Sequence, residues 1–157
     1  MGEKNSLKIL NIGCGDKLST GEIGIDINYI EATHVMDIDK NNIPYPNNYF
    51  DKVISDDSIE HFGNPKHVFE EVKRVLKIGG VFRIETVNVS VWWIRLSMID
   101  WNKAWRHKLG TKRTGHLIHW TVDMLRMWYE IHGFKVTLFE GNSLLCYRMI
   151  YEGKKLG

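Results

Sequence analysis

Apolar residues form short runs along the first ninety residues, and most of these runs end at a glycine or an acid. Apolar or alternating runs of about four to eight residues, bounded by such breakers, are typical of β-strands. The same pattern returns near the end of the chain. The predicted strands are Leu7–Ile12, Ile23–Ile27, Val35–Ile38, Lys52–Ser55, Val81–Val87, Phe134–Glu140 and Leu144–Tyr151.

Two segments show helical spacing instead. The first begins at Pro65, which suits the first turn of a helix, with Asn64 as its N-cap. Its apolar residues recur at the spacing of one helix face, and the pair Gly79–Gly80 is predicted to end it. The second helix is capped by Thr121 and ends at Gly133.

The order of these elements predicts the class of fold. Residues 16–22 hold no helical pattern, and the gaps between the first three strands are too short for a crossover of about ten or more residues with its helix. Strands then alternate with the two helices, and two strands close the chain. An open, mostly parallel α/β sheet with an antiparallel last strand satisfies this order.

Composition places this sheet in one soluble domain. A chain of 157 residues has the size of a single domain, so residues 1–157 are predicted to fold as one unit. Apolar residues make up 43% and charged residues 25%, as in globular proteins, and no run of about 18 apolar residues predicts a membrane span. Cys14 and Cys146 follow no metal or redox spacing, which favours a reduced, cytoplasmic location.

One segment differs from the rest in charge. Residues 88–120 hold six Lys or Arg, one Asp and five Trp, so a basic stretch interrupts a mildly acidic body. A short helix over Val91–Met98 and an exposed loop over Lys108–Gly115 are predicted within it. The segment either binds an anionic partner, with nucleic acid as one candidate, or its tryptophans complete the hydrophobic core. In the second case its charged side chains lie in solvent.

The turn Gly13-Cys14-Gly15 after the first strand carries the clearest chemistry. Its glycines let a ligand approach the backbone closely. A dinucleotide-binding turn would have a third glycine where Leu18 stands and would open a helix, so the pyrophosphate half of that signature is absent. Asp26 ends the second strand, where a carboxylate can accept both hydroxyls of a ribose. The pattern therefore indicates an adenosyl ligand without phosphates.

Six runs of sequence form an ordered and specific set. The runs are LNIGCGD (10–16), GIDIN (24–28), MDID (36–39), IPYPNNYFDKVISDDSIEHF (43–62), VFEEVKRVLKIGGVFRIETVN (68–88) and HWTVDMLRMWYEIHGF (119–134). In this order they resemble the small Rossmann-like S-adenosylmethionine-dependent methyltransferases of class I, of the methyltransferase type 11 sort. The resemblance covers most of the chain except residues 89–118.

The resemblance implies a fold, a cofactor and a reaction. The fold is a three-layer Rossmann-like sheet with an antiparallel last strand and an abbreviated N-terminal part. The cofactor is S-adenosyl-L-methionine, which gives its methyl group to an unidentified acceptor and leaves as S-adenosyl-L-homocysteine. The acceptor is a small molecule, a nucleic acid or a protein.

A second function stays open beside the first. The chain is alternatively a catalytically weak or inactive methyltransferase-like scaffold that acts through a partner. Asn11 stands where family members often carry Asp, and only six residues precede the first strand. We therefore expect a pocket that is open, or one that is closed by residues 88–120, by a partner chain or by a second copy of this chain.

The resemblance also implies which residues hold the cofactor. The glycine turn would line the methionine part of the cofactor. Asp26 would hold the ribose, and Asp37 and Ile38 would flank the adenine. Asp56 and Asp57 would lie beside its amino group and sulfonium, and at most one of these adjacent side chains is expected to face the ligand. The full predicted set is Asn11, Gly13, Cys14, Gly15, Asp26, Ile27, Asp37, Ile38, Asp56 and Asp57.

Histidines are the candidates for chemistry on the acceptor. His61 directly follows the fourth strand and is predicted either to act as a general base or to pack beside its loop. His116 and His119 have the spacing of a partial metal site, but no Cys or acid completes it in the sequence, so no metal is predicted. The residues predicted to contact the acceptor are His61, Trp92, Trp93, Arg113 and His116.

Overall fold

The computed structural model describes residues 6–91, 116–141 and 147–157, and in them four strands precede the first helix and two strands follow the last. No helix in these residues is long and apolar enough to cross a membrane. A 3₁₀-helix spans Ile59–His61, and the α-helices are α1 (Pro65–Val75) and α2 (Val122–Ile131). The strands are β1 (Ile9–Ile12), β2 (Glu22–Asp26), β3 (His34–Val35), β4 (Phe50–Asp56), β5 (Leu76–Val87), β6 (Phe134–Glu140) and β7 (Arg148–Lys155).

The strands form one sheet with the order β3-β2-β1-β4-β5-β7-β6. β1 to β5 run parallel, while β7 lies antiparallel between β5 and β6. This arrangement confirms the predicted mostly parallel α/β sheet with an antiparallel last strand. The strand order reverses between β1 and β4, which is the place where open α/β sheets bind ligands at the carboxyl ends of their strands.

Both helices begin where their caps predict. α1 starts at Pro65, and the Asn64 side chain accepts a 3.4 Å hydrogen bond from the His67 N–H. α2 follows Thr121, whose hydroxyl accepts a 3.2 Å hydrogen bond from the Met124 N–H. Each cap satisfies one of the backbone donors that the start of a helix leaves open.

The end of α1 was predicted too far along the chain. The helix ends at Val75, not at Gly79–Gly80, because Leu76 adopts an extended backbone and pairs with Phe50 of β4. Both side chains are fully buried, so packing in the sheet outweighs further helical hydrogen bonding. The glycine pair instead lies inside β5, where the pairing with β4 shifts its register.

The prediction for the third strand was also too long at its end. β3 covers His34–Val35 alone, because the chain turns at Asp37. The Asp37 carbonyl accepts hydrogen bonds from the N–H groups of Lys40 and Asn41, at 3.2 and 3.1 Å. Residues predicted as strand therefore form a turn at the carboxyl end of β3.

The last strand extends further than predicted. β7 reaches Lys155 and not only Tyr151, because it continues to pair with β5 as far as the Val81–Lys154 pair. Its predicted start at Leu144 lies outside the described residues. The long pairing fixes β7 between two neighbours and removes it from the edge of the sheet.

Both described helices pack against the same face of the sheet. The ring centroid of Phe69 in α1 lies 5.3 Å from that of Phe82 in β5 and 5.7 Å from that of Tyr129 in α2. All three rings are fully buried. Burying such a side chain contributes about 1.5–3 kcal/mol to folding, so this aromatic cluster anchors both helices.

The opposite face carries a loop where α/β folds usually place a helix. Residues 13–21 connect β1 to β2 without a helical turn, as predicted. The side chains of Cys14 and Leu18 lie over Gly24 of β2, so close that a Cβ there would come within 3 Å of both. The N-terminal part of this face is therefore abbreviated, as the resemblance implied.

Charged pairs occupy the central strands on that opposite face. Lys52 and Glu152 lie 3.2 Å apart, and Arg83 and Glu85 lie 2.9 Å apart, nitrogen to oxygen. Their side chains are between 17% and 32% exposed, so the face is partly solvated. This explains why apolar and charged residues alternate along β5, as in a strand with one wet face.

Trp120 belongs to the core. It is 1% exposed, and its ring centroid lies 5.6 Å from that of Trp128 in α2. For this tryptophan the structure therefore supports the interpretation that the segment closes the core. Trp92, Trp93 and Arg113 lie outside the described residues, as do the loop predicted over Lys108–Gly115 and nearly all of the helix predicted over Val91–Met98.

Candidate functional site

A cavity of about 300 Å³ opens at the carboxyl ends of β1 to β4. Its volume lies at the lower end of the range of about 300–1,000 Å³ that small-molecule pockets occupy. The loops after these four strands supply its walls. The lining residues are Gly13, Ile25, Asp26, Ile27, Asn28, Met36, Asp37, Ile38, Asp39, Asp57, Ser58, His61 and Phe62.

Gly13 shapes the floor of the cavity. Its backbone is left-handed, with φ at 66°, and its N–H donates a 2.7 Å hydrogen bond to the Ile25 carbonyl. A Cβ at this position would lie 2.4 Å from the Cβ of Ser58. The Ser58 hydroxyl in turn donates a 2.8 Å hydrogen bond to the Ile12 carbonyl. Only glycine fits both the conformation and the space.

Asp26 joins two loops at the rim of the cavity. Its Oδ2 accepts a 3.0 Å hydrogen bond from the Gly15 N–H. Its Oδ1 accepts hydrogen bonds from the N–H groups of Asn28 and Tyr29, at 2.8 and 3.0 Å. A carboxylate has about four acceptor positions, so Oδ2 keeps capacity for a further donor from a ligand.

Asp37 and Ile38 lie in the turn after β3 and line the cavity together. The Asp37 carboxylate lies 3.1 Å from the exposed Lys40 ammonium. Ile38 is 5% exposed and gives the cavity an apolar wall. The pair therefore offers a flat apolar group a surface and a hydrogen-bond acceptor side by side.

Asp57 and Asp56 end β4, and only Asp57 lines the cavity. Asp57 has a left-handed backbone with φ at 49°, which Asp tolerates better than most residues. Its Oδ2 lies 2.6 Å from the Arg148 guanidinium and 3.3 Å from the Lys17 ammonium. Asp56 contacts the same two cations, at 3.3 and 3.8 Å. One of the adjacent acids thus faces the cavity and the other does not.

The structure brings together six of the ten predicted cofactor residues and separates the other four from the cavity. Asn11 is 6% exposed, and its side chain donates a 3.3 Å hydrogen bond to Glu22. Cys14 is buried, and burial raises the pKa of its thiol. Gly15 is linked to the cavity only through its hydrogen bond to Asp26. Asp56 does not line the cavity and forms an ion pair with Arg148.

Asp39 is a lining residue that the sequence analysis did not select. Its two carboxylate oxygens accept hydrogen bonds from the N–H groups of Gly63 and Asn64, at 2.7 and 3.1 Å. Asp39 thereby ties the turn after β3 to the start of α1. Its place two residues after Asp37, in the run MDID, was the available signal.

Ser58 and Phe62 were missed for a different reason. Both lie between β4 and α1 and line the cavity beside His61. The Ser58 and Ser55 hydroxyls lie 2.6 Å apart, and Ser58 is 5% exposed. Their sequence context suggested a connecting loop. The close packing of Ser58 against Gly13 is visible in the structure alone.

A carboxyl group and two imidazoles lie together beside the cavity, and one of them, His61, lines it. Glu60 and His61 are on the 3₁₀-helix, and the N–H groups of residues 117–118 donate to the Glu60 carbonyl at 2.8 and 3.1 Å. This pairing brings His116 beside His61, with ring centroids 5.0 Å apart. Glu60, His61 and His116 each offer one metal-ligand atom, all within 4.8 Å of one another. The sequence shows no acid near His116 that could complete a metal site, but the fold brings Glu60 there.

Burial controls the charge of this cluster. Glu60 is 3% exposed, and burial raises the pKa of its carboxyl, although a 2.8 Å hydrogen bond from the Thr86 hydroxyl opposes the shift. Burial also lowers the pKa of His116 to about 4, with smaller contributions from His61 and His119. The His116 ring is therefore neutral at neutral pH and keeps a lone pair for a ligand.

The lining of the cavity selects against phosphate. Its carboxylates come from Asp26, Asp37, Asp39 and Asp57, and no Lys or Arg lines it among the described residues. The remaining walls are largely apolar. Placing a pyrophosphate among four carboxylates would be repulsive, whereas a neutral adenosyl group with a positive charge at one end is compatible with them.

Comparison with known proteins shows which class of protein this chain resembles. Residues 10–84 match a family described as a methyltransferase domain. A curated relative from Oryza sativa subsp. japonica, the chloroplastic 2-methyl-6-phytyl-1,4-hydroquinone methyltransferase 1, is 33% identical over 73 residues. These residues make up 46% of this chain and 22% of the relative, so the match spans about a fifth of the relative's length.

Solved structures share the fold over nearly the whole chain. A chain of the complex between the Haloferax volcanii Trm112 methyltransferase activator and a methyltransferase has a TM-score of 0.75 and 14% identity. The match covers 96% of this chain and 83% of that one. An S-adenosylmethionine-dependent methyltransferase from Mesorhizobium loti has a TM-score of 0.70 and 16% identity, covering 99% of this chain and 94% of that one.

Fold and cavity together define a Rossmann-like protein with a ligand-sized cavity at the carboxyl edge of its sheet. Residues 10–84 match the methyltransferase-domain family, and the fold is the one found in the class of S-adenosylmethionine-dependent methyltransferases. The cofactor of that class is S-adenosylmethionine.

Proposed function

We propose that this chain binds S-adenosyl-L-methionine in the cavity and transfers its methyl group to an acceptor, with S-adenosyl-L-homocysteine as the product. The observation that supports the proposal is the lining of the cavity, which combines four aspartates with apolar walls. A sulfonium and an ammonium carry positive charge, and an adenosyl group carries no phosphate. The residues present therefore fit this cofactor.

The nucleoside part is proposed to lie between β2 and the turn after β3. Asp26 accepts hydrogen bonds from the ribose hydroxyls, for which its Oδ2 keeps an acceptor position. Ile38 packs against the adenine, and Asp37 accepts from its exocyclic amine. These assignments use the acceptors and the apolar wall that line this half of the cavity.

The methionine part is proposed to lie over the glycine turn. Gly13 lets Ser58 pack against this turn, because a Cβ there would lie 2.4 Å from the Cβ of Ser58. Asp57 supplies negative charge at this end, shared with Arg148 and Lys17. The two cations hold the carboxylate in place and reduce its net attraction for the cofactor.

When bound, the cofactor supplies a methyl group that passes to a lone pair of the acceptor while the sulfur keeps the bonding electron pair. The chain has to align the acceptor with that methyl group and exclude water. His61 lines the cavity and lies where a general base, or a ligand of a Lewis-acidic metal, would act on the acceptor.

Isothermal titration calorimetry of the full chain tests the proposal. We expect S-adenosylhomocysteine and S-adenosylmethionine to bind one site with micromolar affinity. NADH should give no binding under the same conditions, because its pyrophosphate would enter a cavity lined by four carboxylates.

Absence of heat with millimolar S-adenosylhomocysteine would contradict the cofactor assignment and favour the scaffold alternative. That alternative has one point of support, since one protein of the same fold was solved in complex with a methyltransferase activator. Binding of NADH in preference to the adenosyl ligands would contradict both.

A further inference from the structure

We propose that Glu60, His61 and His116 form a binding site for one divalent transition-metal ion beside the cavity. Their ligand atoms lie within 4.8 Å of one another. Two imidazoles and one carboxylate are a ligand set used by Zn²⁺ and by Fe²⁺, and three protein ligands leave at least one coordination position open.

The cluster needs little movement to reach coordination distance. Zinc bonds of about 2.0–2.2 Å to nitrogen and oxygen put tetrahedral ligands about 3.4 Å apart. The observed separations are all within 4.8 Å and exceed this by at most about 1.4 Å, which rotation of the side chains can close. Glu60 and His61 are adjacent on one 3₁₀-helix, so two of the three ligands share a rigid support.

The third ligand is positioned by backbone pairing. The N–H groups of Leu117 and Ile118 donate to the Glu60 carbonyl, which fixes the residue before them, His116, against His61. The site is thus assembled by the fold from two segments that are distant in sequence.

The burial of Glu60 favours the binding of a cation beside its carboxylate. A carboxylate that is 3% exposed is costly unless it is neutralised, paired or coordinated. The Thr86 hydroxyl bonds one of its oxygens at 2.8 Å and orients the group, as partners of metal ligands commonly do. A divalent ion would supply the positive charge that compensates the buried carboxylate.

The site adjoins the cavity, since His61 lines both. The role of the metal rests on the proposed function: its open position would bind a hydroxyl oxygen of the methyl acceptor. A bound metal lowers the pKa of such a hydroxyl, whose proton leaves to solvent. His61 is then a ligand and not a general base, and the acceptor class is a hydroxyl compound able to coordinate a metal.

Metal binding is tested without any acceptor. The full chain is stripped with a chelator and titrated with zinc chloride by calorimetry, and with cobalt chloride by visible absorption, where ligand-field bands report the coordination of the ion. We expect one ion per chain. Glu60→Gln and His116→Ala should each weaken zinc binding by at least about 100-fold, more than the usual loss for a supporting residue.

His119→Ala is the matched control, because His119 is exposed, neighbours the site in sequence and lies outside the three-ligand cluster. It should bind zinc as the unchanged chain does. The proposal is overturned if the unchanged chain takes up no zinc, if Glu60→Gln and His116→Ala bind it equally well while remaining folded, or if His119→Ala loses as much affinity.

A parallel titration with S-adenosylhomocysteine separates this proposal from the proposed function. Zinc binding without binding of the adenosyl ligand would leave the metal site standing and overturn the function. Binding of the adenosyl ligand without zinc would do the reverse.

Discussion

Replacing Gly13 with alanine is expected to lower the free energy of unfolding by about 2–5 kcal/mol. Two costs add at this position. A left-handed backbone, here with φ at 66°, costs a non-glycine residue about 1–2 kcal/mol. The new Cβ would also lie 2.4 Å from the Cβ of Ser58, and such overpacking costs about 1–3 kcal/mol.

Gly15→Ala separates these two costs. Gly15 is also left-handed, with φ at 48°, but a Cβ there would meet no atom within 4 Å. Chemical denaturation should therefore show a loss of only about 1–2 kcal/mol for this control. Equal losses for the two variants would contradict the claim that Ser58 and Gly13 pack against each other at the floor of the cavity.

Replacing Asp26 with alanine is expected to weaken S-adenosylhomocysteine binding by at least about 100-fold, which corresponds to about 2.7 kcal/mol. Hydrogen bonds to a charged group contribute about 1.5–3 kcal/mol each, and the proposed ribose contact uses two. The carboxylate also holds the loops of Gly15 and Asn28 together at the rim. Its loss therefore removes contacts and loosens the site.

Two further variants show which effect dominates. Asp16→Ala removes an exposed carboxylate from the same loop and should leave affinity within about threefold, because a screened surface charge contributes about 0–1 kcal/mol. Asp26→Asn keeps one oxygen for the backbone amides and should remain folded while still losing affinity. If Asp26→Ala is folded and binds the ligand as well as the unchanged chain, the ribose assignment is wrong.

Local signals in the sequence were sufficient for the parts of the site that lie close together in the chain. The glycines after β1 and the acid ending β2 were predicted to contribute to one ligand site, and a Gly15–Asp26 hydrogen bond places them side by side. Asn64 and Thr121 predicted the starts of both helices, because a cap acts within one helical turn.

Other features depend on packing that no local pattern records. Leu76 leaves α1 early because its side chain is buried beside Phe50. Asn11 was predicted to contact the cofactor, and its side chain donates a hydrogen bond to Glu22 of β2, a partner that no local pattern indicates. Glu60 lies beside His116 only because residues 117–118 pair with the 3₁₀-helix.

A crystal structure of the chain with S-adenosylhomocysteine tests the central claim, that the cavity at the carboxyl ends of β1 to β4 holds the adenosyl cofactor. We expect the ribose hydroxyls on the Asp26 carboxylate, the adenine against Ile38 and the homocysteine part over Gly13. A ligand bound elsewhere on the chain, or density in the cavity with the ribose away from Asp26, would contradict the account.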